Sequence, residues 1–187
     1  MNVALFASGT GSNVKNIIDY FKKNKKINIV LVVSNNSSAG ALVHAKDNDI
    51  DQLVINKSTL NESLKVIDLL HARDIKLVVL AGFLLKFPEK IIKNYKGDII
   101  NLHPSLLPKF GGKGMYGKNV HEAVLSSKES KTGITIHFVN EYYDQGAIID
   151  QYEVPLSNSD TIESVVLKIK ELELLHFPST IEKLLKR

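Results

Sequence analysis

Asn101 and His103 stand two residues apart where the apolar run "DIINLH" (98–103) ends, and Pro104, Pro108, Gly111 and Gly112 follow. In an extended strand, positions i and i+2 share a face, so an amide and an imidazole project to the same side. An amide N–H can stabilise a developing oxyanion, and an imidazole can give or take a proton near neutral pH. The two prolines restrict the backbone, so the loop is pre-set. The plainer reading is that Asn101 and His103 only satisfy loop carbonyls. For an isolated histidine that reading prevails. Two polar groups leaving one strand, in a chain with a Gly-rich turn after its first strand, favour acyl chemistry.

Such chemistry calls for a group that orients the imidazole. The segment "NEYYDQGAII" (140–149) offers Asp144, in a turn that leads through Gly146 into an apolar stretch. A carboxylate beside His103 would favour the imidazolium. Asp near Gly is also an ordinary turn pair, and spacing alone does not bring Asp144 to His103. His137, inside "GITIHFV" (133–139), points inward in an alternating strand, while His121 falls on a helix as a surface or packing residue. With no His-x-x-x-His and no acidic cluster, no metal site is expected. The serine-hydrolase elbow is also missing.

The turn "SGTGSN" (8–13) lies between an apolar run and a helical pattern, where backbone N–H groups favour an anion. Val14 stands where the dinucleotide fingerprint needs its third glycine, and no acidic residue closes the second strand, so a nicotinamide cofactor is disfavoured. What remains is a one-phosphate turn at Gly11, Ser12 and Asn13. A tight turn with Ser12 and Asn13 as helix caps is an equally good account.

The elements that must position these residues alternate. Strands are expected at 2–7, 27–34, 52–56, 76–82 and 98–103, then at 133–139 and 146–154 as one hairpin. Helices are expected at 14–23, 39–48, 60–73, 88–95, 119–127 and 160–186. The nearly continuous β-branched runs suit strands buried on both faces. This pattern predicts an α/β fold: a doubly wound, mostly parallel sheet flanked by helices, with an antiparallel hairpin near the C-terminal end. Only the connection 103–118 is long, and a long loop in a compact domain is usually functional.

The totals agree. The 187 residues suit one domain, 1–187, and 44% hydrophobic with 24% charged residues is ordinary for a globular protein. No cysteine is present, which excludes disulfides, thiolate metal sites and a thiol nucleophile, and suits a cytoplasmic location. Neither a leader nor a membrane span is expected. The net charge of +4 is mild and its only dense cluster is "KKNKK" (22–26), so a small anionic substrate fits better than nucleic acid.

In their order and spacing, "SGTGSN", "VVLAGF", "INLHPSLLP", "GITIHFV" and "YDQGAII" resemble the folate-dependent formyltransferases, from residue 2 to about 180. The resemblance implies a Rossmann-like formyltransferase fold. It implies direct transfer of a formyl group from 10-formyltetrahydrofolate, as cosubstrate, to the primary amine of glycinamide ribonucleotide, without a metal, in a monomer or homodimer. It assigns catalysis to Asn101, His103 and Asp144, and substrate phosphate binding to Gly11, Ser12 and Asn13. Folate binding falls to Leu84, Leu85, Lys86 and Phe87, to Asn101, and to Val139, Asn140, Tyr143 and Asp144. Glu173 lies on the amine side.

Departures from the family pattern are Leu85, where an Arg is common, the lack of an Arg around 62–65, and the glycine-rich 109–119 loop. Relatives that formylate methionyl-transfer-RNA carry an additional RNA-binding domain, for which this length leaves no room. Two rivals remain: a related formyltransferase acting on an amino sugar nucleotide, and a non-catalytic phosphate-binding module.

Overall fold

The computed structural model describes residues 1–186. Seven strands form a mixed α/β sheet, mostly parallel, with an antiparallel pair at the C-terminal end. By contact density the chain divides into two compact units, one covering 1–101 and the other running from Leu102 onward.

In the first unit the strands are β1 (Asn2–Phe6), β2 (Asn28–Ser34), β3 (Asp51–Val54), β4 (Ile75–Leu80) and the start of β5 (Asp98–His103). They lie in the order β3-β2-β1-β4-β5, all parallel. Val3, Ala4 and Leu5 of β1 and Leu77, Val78 and Val79 of β4 are fully buried, as unbroken apolar runs in a parallel sheet should be. Between these strands run α1 (Ser12–Phe21), α2 (Gly40–Lys46), α3 (Lys57–Asn61), α4 (Ser63–Ala72) and α5 (Glu89–Asn94). Helix α1 buries Val14, Ile17, Ile18 and Phe21, one face at helical spacing.

The single helix expected at 60–73 is two. The Asn56 side chain accepts from Thr59 N–H and starts α3, while Glu62 leaves helical geometry at φ −74°, ψ 60°. Register then sets the working edge of this unit. Phe6 pairs with Leu80, and Leu80 with Asn101. Within this unit the ends of β1 and β4 and Asn101 of β5 therefore lie at one level, toward the carboxyl ends of the strands, where ligands bind in open parallel sheets.

The second unit contains the end of β5, α6 (Lys118–Ser126), β6 (Lys131–Phe138), β7 (Ile148–Pro155) and α7 (Ile162–Leu185). Strands β6 and β7 pair antiparallel, as expected of a hairpin, with a register shift between Ile136 and His137. Strand β7 begins at Ile148, two residues later than the apolar pattern suggests. A side chain at Gly146 would overlap the Phe138 carbonyl, so this position belongs to the tight turn. Helix α7 opens on a capping box between Thr161 and Ser164 and buries Val165, Ile169, Phe177 and Ile181.

Candidate active site

The 104–112 loop is held by a buried polar network. The Thr135 hydroxyl on β6 donates to the Ser105 carbonyl at 2.7 Å and accepts from Leu107 N–H at 3.0 Å. Gln151 on β7 donates to the same hydroxyl and to the Leu107 carbonyl, both at 2.9 Å. The Ser105 hydroxyl donates to the Lys109 carbonyl at 2.8 Å. Thr135 and Ser105 have no solvent exposure. Each of these groups has its partner, so the network rigidifies the loop rather than destabilising it. Neither Thr135 nor Gln151 stands out in the sequence. Their only signal is strand periodicity, which puts Thr135 on the same face of β6 as His137.

His103 ends β5 and is buried, 3% exposed. Its Nε2 lies 2.8 Å from the Phe110 carbonyl oxygen, so that nitrogen carries a hydrogen and donates. Its Nδ1 lies 3.6 Å from Asp144 Oδ2, an ion-pair distance longer than a hydrogen bond. Asp144 has a positive φ of 55°, an uncommon conformation for an aspartate. Its Oδ2 accepts from Gly112 N–H at 2.9 Å, and its Oδ1 lies 3.8 Å from His137 Nε2. His137 in turn donates from Nδ1 to the Phe138 carbonyl at 2.8 Å. One carboxylate therefore stands between two buried imidazoles, an arrangement the sequence does not announce.

Burial dominates at His137 and lowers its pKa below the usual histidine value, with His103 adding to the lowering. The Phe138 carbonyl and Asp144 work the other way. His121, expected at the surface or in packing, is a buried residue of α6. Burial, and secondarily His103, lowers its pKa too, and its Nδ1 has no hydrogen-bond partner among the described residues. Asn101 is half-buried, two residues before His103 on the same strand.

The Gly-rich turn belongs to the first unit. Gly11 is the N-cap of α1, at φ 78°, and no side chain caps that helix, so Ser12 and Asn13 lie inside α1 rather than acting as its caps. With glycine at the N-cap, that position supplies no side-chain cap to the N-terminus of α1, and helix N-termini favour anions. A Cβ at Gly11 would come within 2.5 Å of Ala41 Cα, so glycine is required by space as well as by φ. The neighbouring Ser8 hydroxyl donates to Asn35 Oδ1 and accepts from Leu84 N–H at 2.8 Å, tying the turn to the 82–87 segment.

In that segment Leu84 is exposed, Leu85 half-buried and Lys86 exposed. Phe87 is buried, edge-on to Phe6 at 5.4 Å. The Phe87 side chain is thus an anchor of the segment. Val139 and Asn140 are half-buried, and the Asn140 side chain accepts from Tyr142 N–H at 3.0 Å. Tyr143 is exposed, and Glu173 is half-buried on α7.

The mostly parallel sheet with its antiparallel C-terminal pair, and within the second unit an imidazole with a carboxylate beside it, define the class: an α/β domain of the formyltransferase fold. The family model described as "Formyl transferase" matches residues 1–181, and the chain belongs to that family. It is 34% identical over 185 residues to the phosphoribosylglycinamide formyltransferase of Haemophilus influenzae, covering 96% of this chain and 85% of the relative. It is 37% identical over 172 residues to the chloroplastic phosphoribosylglycinamide formyltransferase of Vigna unguiculata, covering 89% of this chain but 55% of the relative. For the chloroplastic relative of Arabidopsis thaliana the chain spans 59% of its length. The crystal structure of phosphoribosylglycinamide formyltransferase from Bacillus halodurans superposes with a TM-score of 0.90 at 32% identity, over 100% of this chain and 96% of that one. The resemblance read from the motifs and the fold expected from strand alternation are both borne out.

Proposed function

We propose that this chain transfers the formyl group of 10-formyltetrahydrofolate to the primary amine of glycinamide ribonucleotide in de novo purine biosynthesis, in the cytoplasm. The products are tetrahydrofolate and the formylated ribonucleotide. The names carried by similar proteins support glycinamide ribonucleotide as the acceptor of a formyl group. The observation that carries the chemistry is the Asp144 carboxylate set against the buried ring of His103.

In this reading the amine attacks the formyl carbon, and the carbonyl electrons move onto oxygen. The Asn101 amide and the protonated His103 ring hold that oxyanion. The proton shed by the attacking nitrogen is passed, with Asp144 organising a water, to the folate nitrogen, whose bond to the formyl carbon then breaks. No covalent enzyme intermediate and no metal take part. Gly11, Ser12 and Asn13 receive the ribonucleotide phosphate. Leu84, Leu85, Lys86, Val139, Asn140 and Tyr143 contact the folate, and Phe87 supports that segment from the core. Glu173 serves the amine side.

The test is the absorbance of the folate product when purified protein meets both substrates. His103→Ala and Asn101→Ala should each lower kcat about 100- to 1000-fold, the usual cost of an oxyanion donor. Near-normal turnover by His103→Ala would end this mechanism. Turnover of an amino sugar nucleotide in place of glycinamide ribonucleotide would move the substrate assignment to the rival formyltransferase.

A further inference from the structure

We infer that Phe110, Gly111 and Gly112 form a positioning strap that holds the His103–Asp144 pair and makes Nδ1, rather than Nε2, the nitrogen that exchanges the proton. The inference deepens the reading above and rests on it for the identity of the reaction.

Three contacts carry it. The Phe110 carbonyl accepts from His103 Nε2 at 2.8 Å, which assigns the hydrogen of the neutral ring to Nε2. Gly112 N–H donates to Asp144 Oδ2 at 2.9 Å, so the strap grips the carboxylate as well as the imidazole. Between these two, Gly111 packs closely against Leu107 and Asp144. A Cβ there would stand 2.6 Å from Leu107 Cδ2 and 3.2 Å from the Asp144 Cβ. Consecutive residues therefore reach both members of the pair, and a side chain on the middle one would press on Leu107 and on Asp144 itself.

The strap is itself fixed. Phe110 has φ 57°, left-handed backbone that a non-glycine residue adopts only where its surroundings impose it. The preceding residues are bound through Ser105, Leu107 and Lys109 to one another and to Thr135 and Gln151. A backbone carbonyl that occupies one imidazole nitrogen sets the tautomer and frees the other for chemistry. Here the free nitrogen is Nδ1. Its distance of 3.6 Å from Asp144 Oδ2 is close enough for charge stabilisation and too long for a hydrogen bond, which leaves an Nδ1 proton available to an oxyanion.

Nitrogen-15 NMR of the free protein reads the tautomer directly. In the wild type, the neutral ring of His103 should carry its hydrogen on Nε2, and a neutral ring protonated on Nδ1 overturns the inference. Gly111→Ala should lower kcat about 10- to 100-fold, the penalty typical of ångström-scale misplacement, with both KM values within about twofold of wild type. Phe110→Pro, whose ring cannot adopt the positive φ, should lose the Nε2-bound tautomer signature. It is the second variant should Gly111→Ala not fold. Lys113→Ala, an exposed neighbour, serves as the control with wild-type kcat. If both strap variants keep the wild-type kcat and the wild-type His103 spectrum, the strap does not position the pair. If the wild type transfers no formyl group, the functional reading fails, while the NMR result still decides the strap.

Discussion

At the scale of the residue, the site works through atoms whose partners are named by geometry. His103 offers two nitrogens with unequal surroundings, a carbonyl at 2.8 Å and a carboxylate at 3.6 Å, and in the proposed mechanism this asymmetry makes the buried histidine a directed acid. Gly11 is the second such residue. Its φ of 78° and its contact distance to Ala41 exclude any side chain. Gly11→Ala should shift the N-terminus of α1. A hydrogen bond to a charged group contributes about 1.5–3 kcal/mol. Loss of one bond to the substrate phosphate should therefore raise KM for glycinamide ribonucleotide about tenfold or more, with a smaller effect on KM for the folate. Steady-state kinetics with each substrate varied in turn check this. An equal rise in both KM values would remove the phosphate from this turn.

At the scale of the element, the informative feature is how two strands of a hairpin hold a loop they do not belong to. Thr135 on β6 and Gln151 on β7 bind the backbone of 105–107, and a valine at 135 would keep the shape while deleting the hydroxyl. Thr135→Val leaves the Leu107 N–H and the Ser105 carbonyl buried without this partner, which should cost about 1–3 kcal/mol of stability. Urea denaturation measures that cost. If the loop pre-positions His103, kcat should fall together with stability and both KM values should change little. A variant as stable as wild type would show that the network is not what fixes the loop.

At the scale of the whole molecule, buried and half-buried histidines make stability depend on pH. The pKa values of His137, His121 and His176 all lie below the ordinary histidine value, with burial as the leading cause at each. The unfolded chain therefore takes up protons at higher pH than the folded one. Between neutral pH, above the ordinary histidine value of about 6.5, and the lowered folded values, the unfolded state binds more protons. Stability is thus full above that value and declines as pH falls through the window. Urea midpoints at pH 7, 6 and 5 should decrease in that order. His121→Leu, which replaces an imidazole whose Nδ1 lacks a partner among the described residues, should flatten part of the decline. Equal midpoints at pH 7 and 5 would contradict the linkage.

The sequence by itself determined the strand and helix alternation, because buried parallel strands read as unbroken apolar runs and helices repeat their apolar face at fixed spacing. It also determined that Asn101 and His103 share a strand face, since that geometry is local. It missed the break at Glu62 and misplaced the cap of α1, where single backbone angles decide the outcome. The partnership of Asp144 with His103 was open from spacing alone and came only from resemblance. The second imidazole at Asp144, the burial of His121, the tether through Thr135 and Gln151, and the Phe110–Gly112 strap were decided by the tertiary structure alone. The physical reason is common to all of these. A hydrogen bond or ion pair between residues far apart in the chain leaves no period in the sequence, and exists only once the packing of the strands has brought its two ends together.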